Sequence, residues 1–276
     1  MTATIETAET AETAQAAETA ARAALGTAAG TAAVRLSGVG KSFRGGATPV
    51  LDGIDLDVAP GEFVCLLGAS GCGKSTLLNL VAGLDAPSTG SIEVPSGRAA
   101  LMFQESALFP WLTAGENIEL ALRLRGVSGR RERRAEAERL LELVRLRGSH
   151  AKRPHQLSGG MRQRVALARA LAQGGKVLLM DEPFAALDAI TRDVLHEELI
   201  RLWESTGLAV LFVTHNVREA VRLGQRVVLL SSRPGRVARQ WRVDIPQPRR
   251  IEDKDVADLS VEITEHLREE ISRHGR

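Results

Sequence analysis

The fold of this chain is decided by one stretch, Gly68-Ala69-Ser70-Gly71-Cys72-Gly73-Lys74-Ser75-Thr76, which fits the pattern G-x-x-x-x-G-K-[ST]. The apolar run 62–67 precedes it and predicts a buried parallel strand, and the apolar-rich run 76–82 follows it and predicts a helix. In such a strand–loop–helix unit, backbone N–H groups wrap around phosphate oxygens, and the positive end of the helix adds to the attraction. The sequence therefore predicts that this loop binds a nucleoside triphosphate.

Two side chains of the loop have predicted roles of their own. Lys74 places a compact positive charge on the β- and γ-phosphates, and the hydroxyl of Ser75 is a ligand for Mg²⁺. Lysine is scarce here, with five lysines among 36 basic residues, so a lysine at this position supports the assignment. The alternative is an ordinary glycine loop that connects a strand to a helix.

Composition places the chain among globular proteins and argues against several classes of function. Apolar residues make up 44% and charged residues 25% of the sequence. A net charge of +2, with 3% aromatic residues and no tyrosine, gives no support for nucleic-acid binding. Cys65 and Cys72 lie in the predicted strand and loop, which favours neither a disulfide nor a metal site and fits a reducing cytoplasm. No apolar run approaches the roughly 18 residues needed to cross a bilayer, so a role at a membrane requires a partner that spans it.

The chain begins with a segment of different composition. Residues 1–33 are a low-complexity tract of alanine, threonine and glutamate, predicted to be a disordered or transiently helical tail, with docking as the alternative role. Order is predicted to begin near Val34. Residues 51–58 alternate between apolar and polar, which predicts a half-buried strand and an antiparallel sheet ahead of the parallel core.

A helical segment interrupts the core at about residues 106–157. Thr113 and Glu116 form a capping-box pattern that predicts the start of one helix. A second helix follows, with apolar residues at near-helical spacing, and is predicted to end at Gly148. We interpret this segment as an inserted helical subdomain. Its basic run 130–134 is interpreted as a solvated face, with lipid contact as the alternative.

After residue 157 the sequence returns to alternating helices and strands. Residues 161–172 predict a helix, and the apolar runs 176–182, 208–215 and 227–230 predict strands. Repeated alternation of this kind is typical of an α/β, doubly wound and mostly parallel sheet.

Polar side chains stand where the predicted strands end, which is where ligands bind in such sheets. Asp181 is placed to hold Mg²⁺ through water, and Glu182 to polarise a water in line with the γ-phosphate. Gln104 is suited to sense the metal and the water, and His215 to hydrogen-bond the γ-phosphate. Singly, a strand-end aspartate can cap a helix and a histidine can be an ordinary surface residue. Together, the four side chains predict a hydrolytic site.

The chain resembles the ATP-binding subunit of an ABC transporter over roughly residues 34–232. The resemblance rests on motifs in the expected order: the loop 68–76, Gln104, Leu157-Ser158-Gly159-Gly160-Met161, 177–182, Ala186-Leu187-Asp188 and His215. It implies an α/β P-loop NTPase (RecA-like) fold with a mostly parallel core, an N-terminal antiparallel β subdomain and the helical insertion. The ATPase domain would span 34–235, and 236–276 would be a C-terminal extension packed on the core.

The same resemblance implies a shared active site. Two subunits would pair head to tail, with Ser158, Gly159 and Gly160 of one closing over the γ-phosphate held by Lys74 of the other. The helix N-terminus at this loop is a suitable second anion site. Asp188 would lie at the dimer seam. Phe43 falls where the family stacks an aromatic ring, more often tyrosine, on adenine.

A finer resemblance points to importers of the nitrate, sulfonate and taurine group. It is carried by the segments 103–111 and 184–192, and the segment 243–250 resembles the end of aliphatic sulfonate import ATPases. It implies a peripheral protein on the cytoplasmic face of the membrane with two permease subunits, served indirectly by an extracytoplasmic solute-binding protein. Phe109 and Trp111 would line the groove for a permease helix, or else pack within the helical subdomain.

Other functions are consistent with parts of the sequence. A soluble ATPase acting on DNA or ribosomes would carry a coiled-coil insertion or two cassettes, and this chain shows one cassette and no heptad run. A module that traps ATP without turnover would lack Glu182. An importer subunit for a different small solute remains an open alternative.

Overall fold

A computed structural model describes residues 32–43 and 48–274 of the chain. The predicted tail, residues 1–33, lies almost wholly outside the described residues. Within the described part, nine strands occur in the order β1 (Val34–Lys41), β2 (Leu51–Val58), β3 (Phe63–Leu67), β4 (Thr89–Glu93), β5 (Ala99–Met102), β6 (Val177–Asp181), β7 (Ala209–Val213), β8 (Arg226–Leu230) and β9 (Val237–Arg242). The α-helices are α1 (Lys74–Val81), α2 (Ala114–Leu124), α3 (Arg130–Leu143), α4 (Gly159–Ala172), α5 (Ala189–Thr206), α6 (Val217–Leu223) and α7 (Lys254–His274).

The first sheet is antiparallel, with the strand order β2-β1-β4. In β2 the alternation read from the sequence is present: Ile54, Leu56 and Val58 are buried, while Asp55 and Asp57 are exposed. The predicted antiparallel sheet ahead of the core is thus confirmed. The sequence did not predict β4, because its mostly exposed residues show no apolar alternation.

The second sheet forms the core, with the strand order β5-β6-β7-β3-β8-β9. Strands β5, β6, β7, β3 and β8 pair in parallel, and β9 adds an antiparallel edge. The predicted mostly parallel sheet is confirmed. Because β5, β6, β7 and β3 are neighbours, their carboxyl ends lie side by side at one edge, and this edge positions the candidate site.

The helices of the inserted segment begin as the sequence indicates, but the second ends earlier than predicted. The capping box at α2 is formed: Glu116 N donates to Thr113 Oγ1 at 3.2 Å, and Thr113 N donates to Glu116 Oε2 at 2.8 Å. The prediction that the second helix ends at Gly148 was wrong, because α3 ends at Leu143. The chain leaves the helix earlier because Arg145 takes a left-handed conformation with φ of 57°.

Two buried clusters lie on opposite faces of the parallel sheet. One contains Phe63 and Phe212 of the sheet together with Ile118, Leu141 and Val165 of α2, α3 and α4. The other joins the sheet to α1 and the antiparallel strands. Full burial of one such side chain stabilises the fold by roughly 1.5–3 kcal/mol. The helical segment therefore packs against the core rather than standing apart from it.

The C-terminal part of the chain packs against the same sheet. Val256 and Ile263 of α7 belong to the cluster that contains Phe63. Arg249 is buried, and its guanidinium donates to the carbonyls of Val221 at 2.7 Å and Gly224 at 2.6 Å. None of the helices in the described ranges combines the length and the apolar character needed to cross a membrane.

Candidate active site

The phosphate loop lies between β3 and α1, as predicted. Lys74 is buried, and its Nζ donates to the carbonyl oxygens of Gly68 at 2.8 Å and Ala69 at 3.1 Å. Gly73 is the N-cap of α1 with φ of 98°, and no side chain caps this helix. A Cβ on Gly73 would lie 2.6 Å from Leu51 Cδ2, so both conformation and space require glycine. The loop thus holds the lysine centrally and leaves the first-turn N–H groups without a side-chain acceptor.

Helix α1 begins at Lys74, two residues before the predicted run 76–82. Ala69, Ser70 and Gly71 lie in the turn before α1, and Ser75 and Thr76 lie in its first turn. Cys72 is a free, buried thiol whose Sγ lies 3.8 Å from Lys74 Nζ, and burial raises its pKa. Cys65 is likewise a free, buried thiol.

Asp181 stands at the end of β6 and is half-buried beside α1. Burial is the main cause that raises the pKa of its carboxyl, and the charge of Glu182 raises it further. A hydrogen bond with the Ser75 side chain and the charge of Lys74 act in the opposite direction. A hydroxyl and a carboxylate in contact are oxygen donors of the kind that Mg²⁺ prefers. Gln104, the third predicted ligand, follows β5, and its backbone carbonyl accepts from Gln163 Nε2 at 2.9 Å.

Glu182 and His215 meet across the ends of the neighbouring strands β6 and β7. Glu182 Oε2 lies 2.8 Å from His215 Nδ1. Glu182 has φ of 42°, a left-handed conformation that costs a non-glycine residue about 1–3 kcal/mol. Its backbone N–H donates to the Val213 carbonyl at 3.0 Å, which fixes the turn in this conformation. The structure therefore brings together the two residues that the sequence places on separate strand ends.

A buried polar network lies behind this pair, and sequence reasoning did not find it. His196 Nε2 of α5 lies 2.6 Å from Glu219 Oε1 of α6. The other oxygen of Glu219 accepts from the hydroxyl of Thr214, the residue before His215. The spacing of Asn216 and Glu219 is a visible capping pattern, but it predicts only the start of α6. His196 is 23 residues from Glu219, and no sequence periodicity links them.

The loop that contains Ser158 lies at the start of α4. Ser158 is the N-cap, and its Oγ accepts from Met161 N at 3.2 Å. Asp188 is the N-cap of α5, where its two oxygens accept from Thr191 N at 2.9 Å and Thr191 Oγ1 at 2.7 Å. The backbone hydrogen bond from Thr191 is the main cause that lowers the pKa of Asp188. Ser158 and Asp188 are both exposed, and Gly160 is buried.

Phe43 lies at the end of the first described range, and the residues after it, 44–47, are not described. Its side chain is half exposed, and Lys41 Nζ lies 5.0 Å from the centroid of its ring. A half-exposed aromatic ring is suited to stack on a planar ligand.

The family model and the relatives that match this chain point to the same family. Residues 51–185 match the family model described as ABC transporter. The nitrate import ATP-binding protein NrtD of Synechocystis sp. is 47% identical over 208 residues, which cover 73% of this chain and 78% of that protein. The taurine import ATP-binding protein TauB of Chromobacterium violaceum is 47% identical, covering 76% of this chain and 83% of that protein. The aliphatic sulfonates import ATP-binding protein SsuB 3 of Nocardia farcinica is 46% identical, with coverage of 83% and 88%.

A solved structure points to the same family as these relatives. The ATP-binding cassette MJ0796, in a dimeric post-hydrolysis state bound to ADP and Pi, superimposes with a TM-score of 0.68 at 35% identity, covering 77% of this chain and all of that one. Similarity of this extent in sequence and structure shows the family: the chain is a P-loop ATP-binding cassette and belongs to the ABC transporter family.

Proposed function

We propose that this chain binds and hydrolyses ATP as the nucleotide-binding subunit of an import complex for a small anionic solute. The observation that carries the proposal is the assembly of Lys74, Asp181, Glu182 and His215 at one edge of the parallel sheet. The relatives named as nitrate, taurine and aliphatic sulfonate import proteins support the solute class. We propose the same division of the chain that the sequence suggests, with an ATPase domain at 34–235 followed by the extension 236–276.

The phosphate end of the site fits ATP with Mg²⁺. Lys74 Nζ lies within hydrogen-bonding distance of two carbonyl oxygens of the loop, which hold the ammonium group inside the loop. A phosphate bound by the loop would therefore contact this positive charge directly. Ser75 and Asp181 would hold the metal, with Gln104 as a further ligand, and the metal would neutralise charge on the β- and γ-phosphates. The raised pKa of Asp181 is consistent with a carboxylate placed to receive a cation. Phe43 would stack on the adenine.

Glu182 is the residue we assign as the base. Its half-buried carboxylate accepts the proton of an attacking water, and a base in this position contributes roughly 10²–10⁴-fold to a rate. His215, held 2.8 Å from Glu182, orients the carboxylate and would contact the γ-phosphate. Gln104 would sense the metal and the water. The residue that accepts the proton and the residue that contacts the phosphate thus lie at the ends of adjacent strands.

The second half of the site is proposed to come from another copy of the chain. Ser158, Gly159 and Gly160 present a helix N-terminus, which is suited to an anion, and Asp188 is exposed beside it. The dimeric state of the similar cassette supports a head-to-tail pair. One subunit alone would then be a poor ATPase.

The surface beside Gln104 is suited to a membrane partner. Phe109 and Trp111 contact each other, with ring centroids 5.4 Å apart, and the Trp111 side chain is 65% exposed. Exposed aromatic pairs are typical of protein-binding surfaces. We propose that two permease subunits dock here, that an extracytoplasmic solute-binding protein delivers the solute, and that the chain works at the cytoplasmic face of the membrane.

Two experiments test the proposal. The purified chain is expected to release phosphate from ATP with Mg²⁺, at a rate per subunit that rises with protein concentration. Ser158→Arg is expected to remove this rise, and retention of ATP-driven dimerisation by that variant would refute the head-to-tail pair. Deletion of the gene is expected to abolish growth on a sulfonate or taurine as sulfur source, or on nitrate as nitrogen source. Normal growth on all three would favour an ATPase that is not coupled to import of this solute class.

A further inference from the structure

Gly160 is buried at the second position of α4 and faces the first turn of α5. A Cβ built on Gly160 would lie 2.7 Å from Cγ2 of Thr191. Carbon atoms in contact are ordinarily about 3.5–4.0 Å apart, so a side chain at residue 160 overlaps this methyl group. The backbone of Gly160 is helical and not left-handed, so conformation does not explain the glycine. Space does.

Thr191 has little freedom to move away. Its Oγ1 donates to Asp188 Oδ2 at 2.7 Å, and its backbone N–H donates to Asp188 Oδ1 at 2.9 Å. A β-branched side chain in a helix has few allowed rotamers. Rotating the methyl group away from residue 160 would therefore break the hydroxyl bond to Asp188.

The neighbouring glycine provides a contrast within the same loop. A Cβ on Gly159 would lie 3.5 Å from Leu187 Cδ2, which is an ordinary contact. Of these two glycines, packing within the chain therefore requires only Gly160.

A second contact joins the same two helices further along. Arg164 Nε of α4 lies 3.0 Å from Glu198 Oε2 of α5, and both side chains are largely buried. Helices α4 and α5 are therefore held together at their starts by the packing of Gly160 on Thr191, and one turn or more later by an ion pair.

We propose that Gly160 is a positioning residue that locks Ser158 and Asp188 into one unit through Thr191. The link runs from Asp188 through the Thr191 hydroxyl and methyl group to the backbone of Gly160. Closure of the loop 158–160 over a nucleotide on a second copy then carries Asp188 with it. The functional part of this inference rests on the proposed function, while the packing part does not.

The test is a double-mutant cycle with two readouts, the melting temperature and the ATPase rate. Gly160→Ala adds the overlapping Cβ and is expected to lower Tm by roughly 5 °C and the ATPase rate by roughly tenfold. Thr191→Ser removes the methyl group and keeps the hydroxyl that binds Asp188. The double variant is expected to recover Tm to within about 2 °C of Thr191→Ser and most of the lost rate.

Gly159→Ala is the matched control, expected to leave Tm within about 2 °C because its Cβ has space. A double variant as unstable as Gly160→Ala, or one in which both fail to fold, would overturn the packing link. Recovery of Tm without recovery of rate would overturn the positioning role and leave Gly160 with only its proposed place in the anion site. A wild-type chain without ATPase activity would refute the proposed function, and the Tm cycle would still decide the packing.

Discussion

Among the histidine–glutamate pairs of the described residues, two are alike in chemistry and opposite in setting. His215 and Glu182 lie 2.8 Å apart at the strand ends, with side chains 65% and 21% exposed. His196 and Glu219 lie 2.6 Å apart between α5 and α6, with side chains 2% and 8% exposed. Glu219 is four residues after His215 in the chain, so the two pairs are close in sequence as well.

The difference shows how one type of interaction serves two purposes. An exposed pair contributes about 0–1 kcal/mol to stability and can separate at low cost, which suits groups that exchange a proton or a ligand. Breaking a buried pair costs about 3–5 kcal/mol, because the remaining group stays out of water without its partner. We infer that Glu182 and His215 serve turnover, while His196 and Glu219 hold in place the turn that presents His215.

The largest expected effect is on turnover and comes from the exposed pair. Glu182→Gln removes the proposed base and is expected to lower the steady-state ATPase rate by about 1,000-fold while ATP binding is retained. Phosphate release and nucleotide binding measure the two quantities separately. Glu197→Gln, an exposed change on α5, is the control. Hydrolysis at the wild-type rate would remove Glu182 as the base.

The buried pair is expected to give the next largest effect, on stability. His196→Leu leaves the Glu219 carboxylate buried without its histidine and is expected to lower the free energy of unfolding by about 3 kcal/mol. Thermal and denaturant unfolding measure this loss. His196→Gln keeps an N–H donor toward Glu219 and should lose less. Equal losses for the two variants would mean that packing, and not the hydrogen bond, determines the cost.

A smaller effect is expected from the other member of the exposed pair. His215→Ala is expected to lower the ATPase rate by roughly 10- to 100-fold and to shift Tm by less than about 2 °C. Loss of His215 would then affect mainly the ATPase rate, whereas loss of His196 affects mainly stability. A loss of stability as large as that of His196→Leu would show that the two pairs are not distinct in role.

The smallest expected effect concerns Asp181, the neighbour of Glu182. Its pKa is raised in the folded chain, so the folded state holds the proton more tightly than the unfolded state, and stability falls as pH rises above the ordinary aspartate pKa. Asp181→Asn carries no charge and is expected to raise Tm of the nucleotide-free protein by about 2 °C near pH 7. The gain should shrink below about pH 4, and the exposed Asp258→Asn should show none.

Much of the fold and of the first half-site follows from local patterns. The apolar runs around the phosphate loop predict β3 and α1 because both elements are buried and bounded by glycines. The polar residues Gln104, Asp181 and His215 mark strand ends because each follows an apolar run. The parallel strand order then brings these ends to one edge.

What the sequence did not predict depends on contacts between distant segments. The pairing of His196 with Glu219 and the packing of Gly160 on Thr191 each join residues on different elements, and neither leaves a periodic signal. The strand β9 was also not predicted, because its mixed polar pattern becomes a strand only when β8 supplies hydrogen-bond partners. The early end of α3 depends on a single left-handed residue, Arg145.

The buried guanidinium of Arg249 has a practical consequence for protein engineering. It joins residues after β9 to the backbone oxygens of Val221 and Gly224, and these carbonyls would lose this hydrogen-bond donor if the extension were removed. A reporter or affinity tag is therefore best attached beyond α7. A shortened version that stops at residue 235 would expose the apolar surface that Trp241 and Val256 cover, and it would be prone to aggregate.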